Sequence, residues 1–112
     1  MIEVAKSKRV TGNIICGAIA AYLLIGVSAS LLATLIETVH PGAFLRGGEL
    51  LSRDGVFDNL LYYSLVTLTT IGYGDITPNV AIAQSLSIAL GLIGQIYLTV
   101  LVAMLVGKFL KD

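Results

Sequence analysis

Two long stretches of the chain carry no charged side chain. They are residues 10–36 and residues 76–107, which comprise 27 and 32 residues. About 20 mainly apolar residues are enough for a helix to cross the hydrocarbon core of a bilayer. Each stretch therefore predicts one transmembrane helix, and we place the two spans at about residues 11–36 and 80–110.

A third uncharged stretch, residues 59–74, holds only 16 residues, among them two glycines and several threonines. It is too short and too polar to cross a bilayer as a regular helix. Non-helical backbone can lie at membrane depth only where it is buried in protein or lines a wet cavity. We therefore predict a re-entrant segment, with a short helix over residues 57–69 that Asp58 caps and a non-helical return over residues 70–75. Residues 37–56 are expected to form an irregular outer loop, because proline and glycine punctuate them.

Composition and charge agree with a membrane protein. Hydrophobic residues make up 56% of the chain and charged residues 12%, whereas soluble domains carry about 25% charged residues. The ends have a balance of +3 and the segment between the spans a balance of −3, and an excess of Lys and Arg marks the cytoplasmic side. We expect a multi-pass protein of the cell membrane with both termini in the cytoplasm. The basic side chains at the ends are Lys6, Lys8, Arg9, Lys108 and Lys111.

The non-helical return has residues suited to holding a bare cation. Gly72 and Gly74 flank Tyr73, and glycine adopts positive φ angles at low cost. Alternating φ signs would turn successive carbonyl oxygens toward one axis, while the Thr70 hydroxyl adds an innermost ligand and Asp75 places a charge at the outer mouth. One chain supplies only one wall of such a site, so a symmetric oligomer is required.

Residues 67–75, with the sequence Thr-Leu-Thr-Thr-Ile-Gly-Tyr-Gly-Asp, resemble the signature of potassium channels of the two-transmembrane, pore-loop type. The resemblance implies an all-α membrane protein with an outer helix, a re-entrant pore helix, a filter loop and an inner helix. It also implies a homotetramer that conducts K⁺, the permeant ion, with no cofactor. The implied ion ligands are the backbone carbonyls of Thr70, Ile71, Gly72 and Tyr73, together with the Thr70 hydroxyl. Ile71 replaces the commoner valine.

Two tyrosines precede the filter motif on the short helix. Tyr62 and Tyr63 resemble the aromatic pair that supports the filter in this family, together with Gly74 and Asp75. A phenol here could reach Asp75 or pack around Tyr73. Hydrophobic filling alone is the alternative interpretation.

The second span contains candidates for gating. Gly94 stands where the family has its gating hinge, although close packing against the first span would also explain a glycine. Gln95, Thr99, Val102 and Val106 recur at helical spacing and predict a pore-lining stripe that is polar above and apolar below. A stripe that only packs against other helices is the alternative.

Other classes of function fit less well. We find no nucleophile–base pair, metal cage or nucleotide cradle, so we expect neither an enzyme nor a nucleic-acid-binding protein. A nonselective cation channel and a membrane anchor or structural subunit remain as rivals; the anchor would not need Gly72 or Gly74. Membrane lipids are expected partners, and the basic residues near the N-terminus could bind anionic headgroups, although a signal that only sets orientation is the favoured interpretation of these residues. With no voltage sensor recognisable, the chain is either a minimal channel or the pore of a longer protein, and a regulatory domain or subunit outside it is possible.

Overall fold

The computed structural model describes residues 2–111, and side chains are described for residues 12–110. Lys6, Lys8 and Arg9 belong to the first helix, but their side chains, and so the expected lipid contacts, lie outside the described residues. The elements in chain order are α1 (Ile2–Val39), β1 (Phe44–Arg46), β2 (Glu49–Leu50), α2 (Val56–Leu68), β3 (Ile76–Pro78) and α3 (Ala81–Lys111).

Two of the helices are long and apolar enough to span a membrane. The segments are Gly12–Val39 in α1 and Ala81–Leu110 in α3, each with a mean hydropathy of 2.2, and only 28% and 11% of their most apolar windows are buried. A core helix of a soluble protein buries its apolar face, whereas these helices expose large apolar side chains such as Leu24 and Ile88, each 64% exposed. A helix that is apolar on nearly all sides is typical of lipid surroundings.

Helix α1 is longer than the expected span, because it begins at Ile2 rather than near residue 11 and ends at Val39. The absence of charge shows where a helix can enter lipid, and it does not show where helical hydrogen bonding begins. Lysine and arginine are good helix formers, so the basic residues extend the helix.

Helix α2 lies between α1 and α3 and contacts both. One buried cluster joins α2 to α1, α3 and the outer loop and comprises Ala33, Ala43, Phe44, Leu60, Tyr63, Ile76 and Ala83. A second cluster surrounds the end of α2 and comprises Tyr22, Ala29, Leu68 and Leu90. The buried core of the chain therefore consists of α2 and the residues packed around it. This packing fixes the position of the end of α2, where residues 70–75 begin.

The outer loop is more regular than expected, and the fold is mostly helical rather than purely so. Strand β1 pairs antiparallel with both neighbours, giving the order β2-β1-β3, and Arg46 lies opposite both Glu49 and Ile76. Gly47 and Gly48 connect β1 to β2 with φ angles of 58° and 82°. Two successive residues with positive φ make the tight turn that favours a hairpin.

The start of α2 also differs from the prediction. Gly55 occupies the N-cap position with no side-chain hydrogen bond, and Asp58 lies within the first turn. A carboxylate in the first turn still interacts favourably with the positive end of the helix dipole. The prediction that Asp58 caps the helix is wrong, because the helix begins two residues earlier, at Val56.

Candidate functional site

Hydrogen bonds fix how the chain leaves α2. The Thr69 N–H and hydroxyl both donate to the Leu65 carbonyl, at 3.0 and 2.7 Å. The Thr70 N–H donates to the Thr67 carbonyl at 3.0 Å. These carbonyls belong to the last turn, where helix carbonyls lack regular intrahelical partners, so the turn into residues 70–75 satisfies them.

The two remaining carbonyls of that last turn accept hydrogen bonds from residues outside the helix. The Val66 carbonyl accepts the N–H groups of Ile71 and Gly72 at 3.0 and 3.3 Å. The Leu68 carbonyl accepts the hydroxyl of Tyr22 at 2.8 Å, from α1. All four carbonyls of the last turn are therefore engaged.

The backbone of residues 70–75 alternates in the sign of φ. Thr70, Gly72 and Gly74 have φ angles of 63°, 59° and 79°, and Thr70 is the only non-glycine residue with positive φ among those the structure describes. The positive values at Gly72 and Gly74 were expected, and the one at Thr70 was missed. A left-handed conformation costs a non-glycine residue about 1–2 kcal/mol. Such strain persists only where the surroundings fix the conformation, as the bonds at the end of α2 do here.

The outer end of this segment is anchored through Asp75. The Tyr62 hydroxyl donates to Asp75 Oδ2 at 2.7 Å, and Asp75 Oδ1 accepts the Ile76 N–H at 3.0 Å. The Asp75 carbonyl accepts the Gly47 N–H at 3.0 Å. Both the short helix and the outer sheet thus hold the point where the segment ends.

The Tyr62–Asp75 contact also sets the protonation of both groups. The hydrogen bond from Tyr62, helped by the Arg46 charge, lowers the pKa of Asp75 below its usual value. The same hydrogen bond raises the pKa of Tyr62. Arg46 is itself oriented by Asn59, because its Nη1 donates a hydrogen bond to Asn59 Oδ1 at 2.7 Å. Asp75 therefore stays ionised at the outer end of the segment.

Tyr63 makes different contacts from Tyr62. Its ring packs edge-on against Phe44, with centroids 5.2 Å apart, and its hydroxyl forms a hydrogen bond with the Ser87 hydroxyl on α3. Tyr63 thus ties α2 to α3 and to the outer loop, and Tyr62 alone reaches Asp75. Their role as supports of a filter stays a prediction.

Gly94 lies directly against the end of α2. A Cβ atom built on Gly94 would be 1.8 Å from the Leu68 carbonyl oxygen, whereas one on Gly91 would meet nothing within 4 Å. The close contact of Gly94 is thus with α2, and the alternative of packing against the first span named the wrong helix. Helix α3 is continuous through Gly94, and a hinge there stays a prediction.

The expected pore-lining stripe is uncovered. Gln95, Thr99, Val102 and Val106 are all exposed in the single chain, and the Thr99 hydroxyl donates to the Gln95 carbonyl at 2.7 Å. Most other positions of α3 are exposed as well, so exposure does not single this stripe out. Its role as a pore lining stays a prediction.

Comparison with known proteins identifies the family. Residues 18–111 match the family described as "Ion channel". The chain belongs to this ion-channel family. It is 32% identical over 81 residues to Two-pore potassium channel 4 of Arabidopsis thaliana, a match that covers 72% of this chain and 28% of the relative.

Two further relatives match over shorter segments. Two pore potassium channel c of Oryza sativa subsp. japonica is 46% identical over 50 residues, which cover 45% of this chain and 11% of the relative. Two-pore potassium channel 3 of Arabidopsis thaliana is 42% identical over 50 residues, which cover 45% of this chain and 12% of the relative. The matched part of the chain thus spans between a tenth and a third of the length of these curated potassium channels.

Two residues that make contacts between helices were missed because they lie inside the predicted spans. Tyr22 and Tyr97 stack with centroids 5.2 Å apart, and the Tyr97 hydroxyl donates to the Ala18 carbonyl at 2.6 Å. A buried tyrosine hydroxyl usually finds a hydrogen-bond partner, so two tyrosines within apolar stretches signal polar contacts. The sequence does not show which carbonyl each one reaches.

Proposed function

We propose that this chain forms the pore of a potassium-selective channel, in which copies of residues 70–75 surround a common axis. The observation that carries the proposal is the positive φ at every second residue, Thr70, Gly72 and Gly74. Such alternation directs successive carbonyl oxygens to one side. The oxygens of Thr70, Ile71, Gly72 and Tyr73 then replace the water around a K⁺ ion.

The exposure of these residues supports an assembly around the ion path. Residues 70–74 are all exposed in the single chain, with Tyr73 67% and Ile71 54% exposed. One chain offers oxygens from one side only, whereas a K⁺ ion needs ligands around it. A homotetramer, the arrangement of potassium channels, would surround the ion and cover these apolar side chains. The potassium-channel names of the relatives support K⁺ as the ion.

The helix α2 would act as the pore helix and α3 as the inner helix of the channel. In that arrangement Gly94 is a candidate hinge and Gln95, Thr99, Val102 and Val106 line the inner pore. The charge asymmetry of the sequence orients both termini to the cytoplasm of a cell membrane. The acidic outer segment would concentrate cations at the outer mouth.

Ion flux into liposomes tests this function. Purified full-length protein is reconstituted, and uptake of K⁺ and of Na⁺ is measured against protein-free liposomes. We expect K⁺ uptake well above Na⁺ uptake. Equal uptake of both ions would refute selectivity and favour a nonselective cation channel. Chemical cross-linking of the same protein tests the assembly, and a product that contains only monomers would refute a conducting tetramer.

A further inference from the structure

The final carbonyl of α2 is held from another helix. Leu68 is the last residue of α2 and is fully buried. Its carbonyl accepts the Tyr22 hydroxyl at 2.8 Å, across 46 positions of sequence. An unpaired backbone carbonyl away from water costs several kcal/mol in lipid, so this hydroxyl satisfies a group that has no partner within its own helix.

Tyr22 is itself fixed by Tyr97. The two rings lie 5.2 Å apart at an interplanar angle of 27°. The Tyr97 hydroxyl points to α1 rather than α2, because it donates to the Ala18 carbonyl at 2.6 Å. The pair therefore contains two similar phenols with different partners, and only the hydroxyl of Tyr22 touches the end of α2.

Gly94 restrains the same carbonyl on the side of α3. A Cβ atom there would lie 1.8 Å from the Leu68 oxygen and 2.8 Å from the Leu68 carbonyl carbon. The Leu68 peptide thus meets a hydrogen bond from α1 and the bare backbone of α3. Rotation of this peptide would break the first contact.

Thr70 follows two residues later and holds a φ of 63°. Its N–H bonds to the Thr67 carbonyl, so both sides of Leu68 are tied into the turn. We propose that Tyr22 is a positioning residue for ion conduction: its hydroxyl fixes the Leu68 peptide, and thereby the orientation of the Thr70 oxygens. This inference rests on the proposed function, in which Thr70 supplies the innermost ion ligands.

A matched pair of variants separates positioning from packing. Tyr22→Phe and Tyr97→Phe each remove one hydroxyl and keep the ring stack. The full-length variants are reconstituted, and the ratio of K⁺ to Na⁺ uptake is measured. We expect Tyr22→Phe to lower this ratio about fivefold, because a fivefold change in equilibrium corresponds to the net free energy of one hydrogen bond. Tyr97→Phe should leave the ratio at the wild-type value.

A second measurement does not depend on conduction. Thermal unfolding by circular dichroism, repeated at rising K⁺ concentration with Na⁺ held as the control salt, reports ion binding by linkage. Tyr22→Phe should need about five times more K⁺ for the same stabilisation, whereas Tyr97→Phe should shift the unfolding temperature without changing its K⁺ dependence. A merely structural hydroxyl would lower the unfolding temperature equally at all K⁺ concentrations.

The outcomes distinguish the two proposals. If the wild-type protein shows K⁺ selectivity and Tyr22→Phe behaves like Tyr97→Phe in both measurements, the role of Tyr22 is refuted alone. If the wild-type protein shows neither K⁺ selectivity nor K⁺-dependent stability, the proposed function fails and this inference with it. Should Tyr22→Phe not assemble by itself, co-assembly with tagged wild-type chains keeps the comparison, and unchanged selectivity of those mixed channels would also refute the role.

Discussion

Replacing Gly94 with alanine tests the contact between α3 and the end of α2. The added methyl group would lie 1.8 Å from the Leu68 carbonyl oxygen, 2.8 Å from its carbon and 3.2 Å from its Cα. All three atoms are backbone, so no flexible side chain can move aside. A methyl carbon essentially never lies closer than 3.0 Å to a backbone atom, so α3 and α2 would have to separate by more than 1 Å to accommodate it.

Two unfavourable terms and one favourable term set the expected change in the free energy of unfolding. Overpacking of a close contact costs typically 1–3 kcal/mol, and the shift would also strain the Tyr22–Leu68 hydrogen bond, worth about 1 kcal/mol. Alanine in place of glycine favours a helix by up to about 1 kcal/mol. The sum is a destabilisation of roughly 1–3 kcal/mol for Gly94→Ala.

Gly91 provides the control on the same helix. A Cβ atom there meets nothing within 4 Å, so Gly91→Ala should keep only the helical gain and leave stability equal or higher. Thermal unfolding of both variants in detergent is followed by circular dichroism. A Gly94→Ala protein as stable as Gly91→Ala would refute the contact, and it would favour an interpretation of Gly94 as a hinge without close packing.

Two further variants address the 70–75 segment. Gly72→Ala should abolish K⁺-selective uptake into liposomes. Its control is Gly48→Ala, which also replaces a glycine of positive φ with nothing near its Cβ position; this variant should cost similar backbone strain and keep selectivity. Equal loss of selectivity in both variants would show that general destabilisation is the cause. Tyr62→Phe removes the bond to Asp75, which needs an ionised carboxyl and a neutral phenol. Because the pKa of Asp75 is lowered and that of Tyr62 is raised, the bond contributes fully between their usual values of 3.8 and 10.0 and is lost below the first and above the second. The difference in unfolding temperature between wild type and Tyr62→Phe should therefore shrink in acid below pH 3.8 and in base above pH 10.0, and a constant difference through the acid range would contradict this assignment.

The sequence predicted the two long apolar helices well, because lipid excludes charged side chains and a long uncharged stretch can be recognised from the sequence alone. A helix needs about 20 mainly apolar residues to cross a bilayer, and of the two uncharged stretches found here the first lies within α1 and most of the second within α3. Helix α3 runs from Ala81 to Lys111 against an expected span of about 80–110, whereas α1 begins at Ile2 rather than near residue 11, since helix hydrogen bonding continues past the apolar region there.

The small outer sheet was missed although its signal is present. Gly47 and Gly48 separate two pairs of residues that face each other across the hairpin, and a two-glycine loop is a hairpin signal. Strands of two or three residues are too short to show the alternation by which strands are usually recognised. The partner of β1 on its other side, β3, comes from beyond α2, and only the folded chain brings it there.

Positive φ angles in residues 70–75 were predicted at the glycines and missed at the one residue of another type. Positive φ at Gly72 and Gly74 follows from the residue type. Threonine is β-branched and disfavours positive φ, so nothing in the sequence signals the conformation of Thr70. That conformation is a product of the contacts at the end of α2, and those contacts join residues that are distant in sequence.

The contacts of residues 70–75 support the proposal that this segment binds an ion. Its inner end is tied to the last turn of α2, and its outer end, Asp75, is tied to Tyr62 and Gly47. Between these anchors, a Cβ atom on Gly72 or Gly74 would meet no atom within 4 Å. The ends are therefore held by hydrogen bonds while the middle is left uncovered. A strained backbone that is fixed at both ends and open between them keeps its carbonyl oxygens in place without using them internally, and such oxygens are available to an ion.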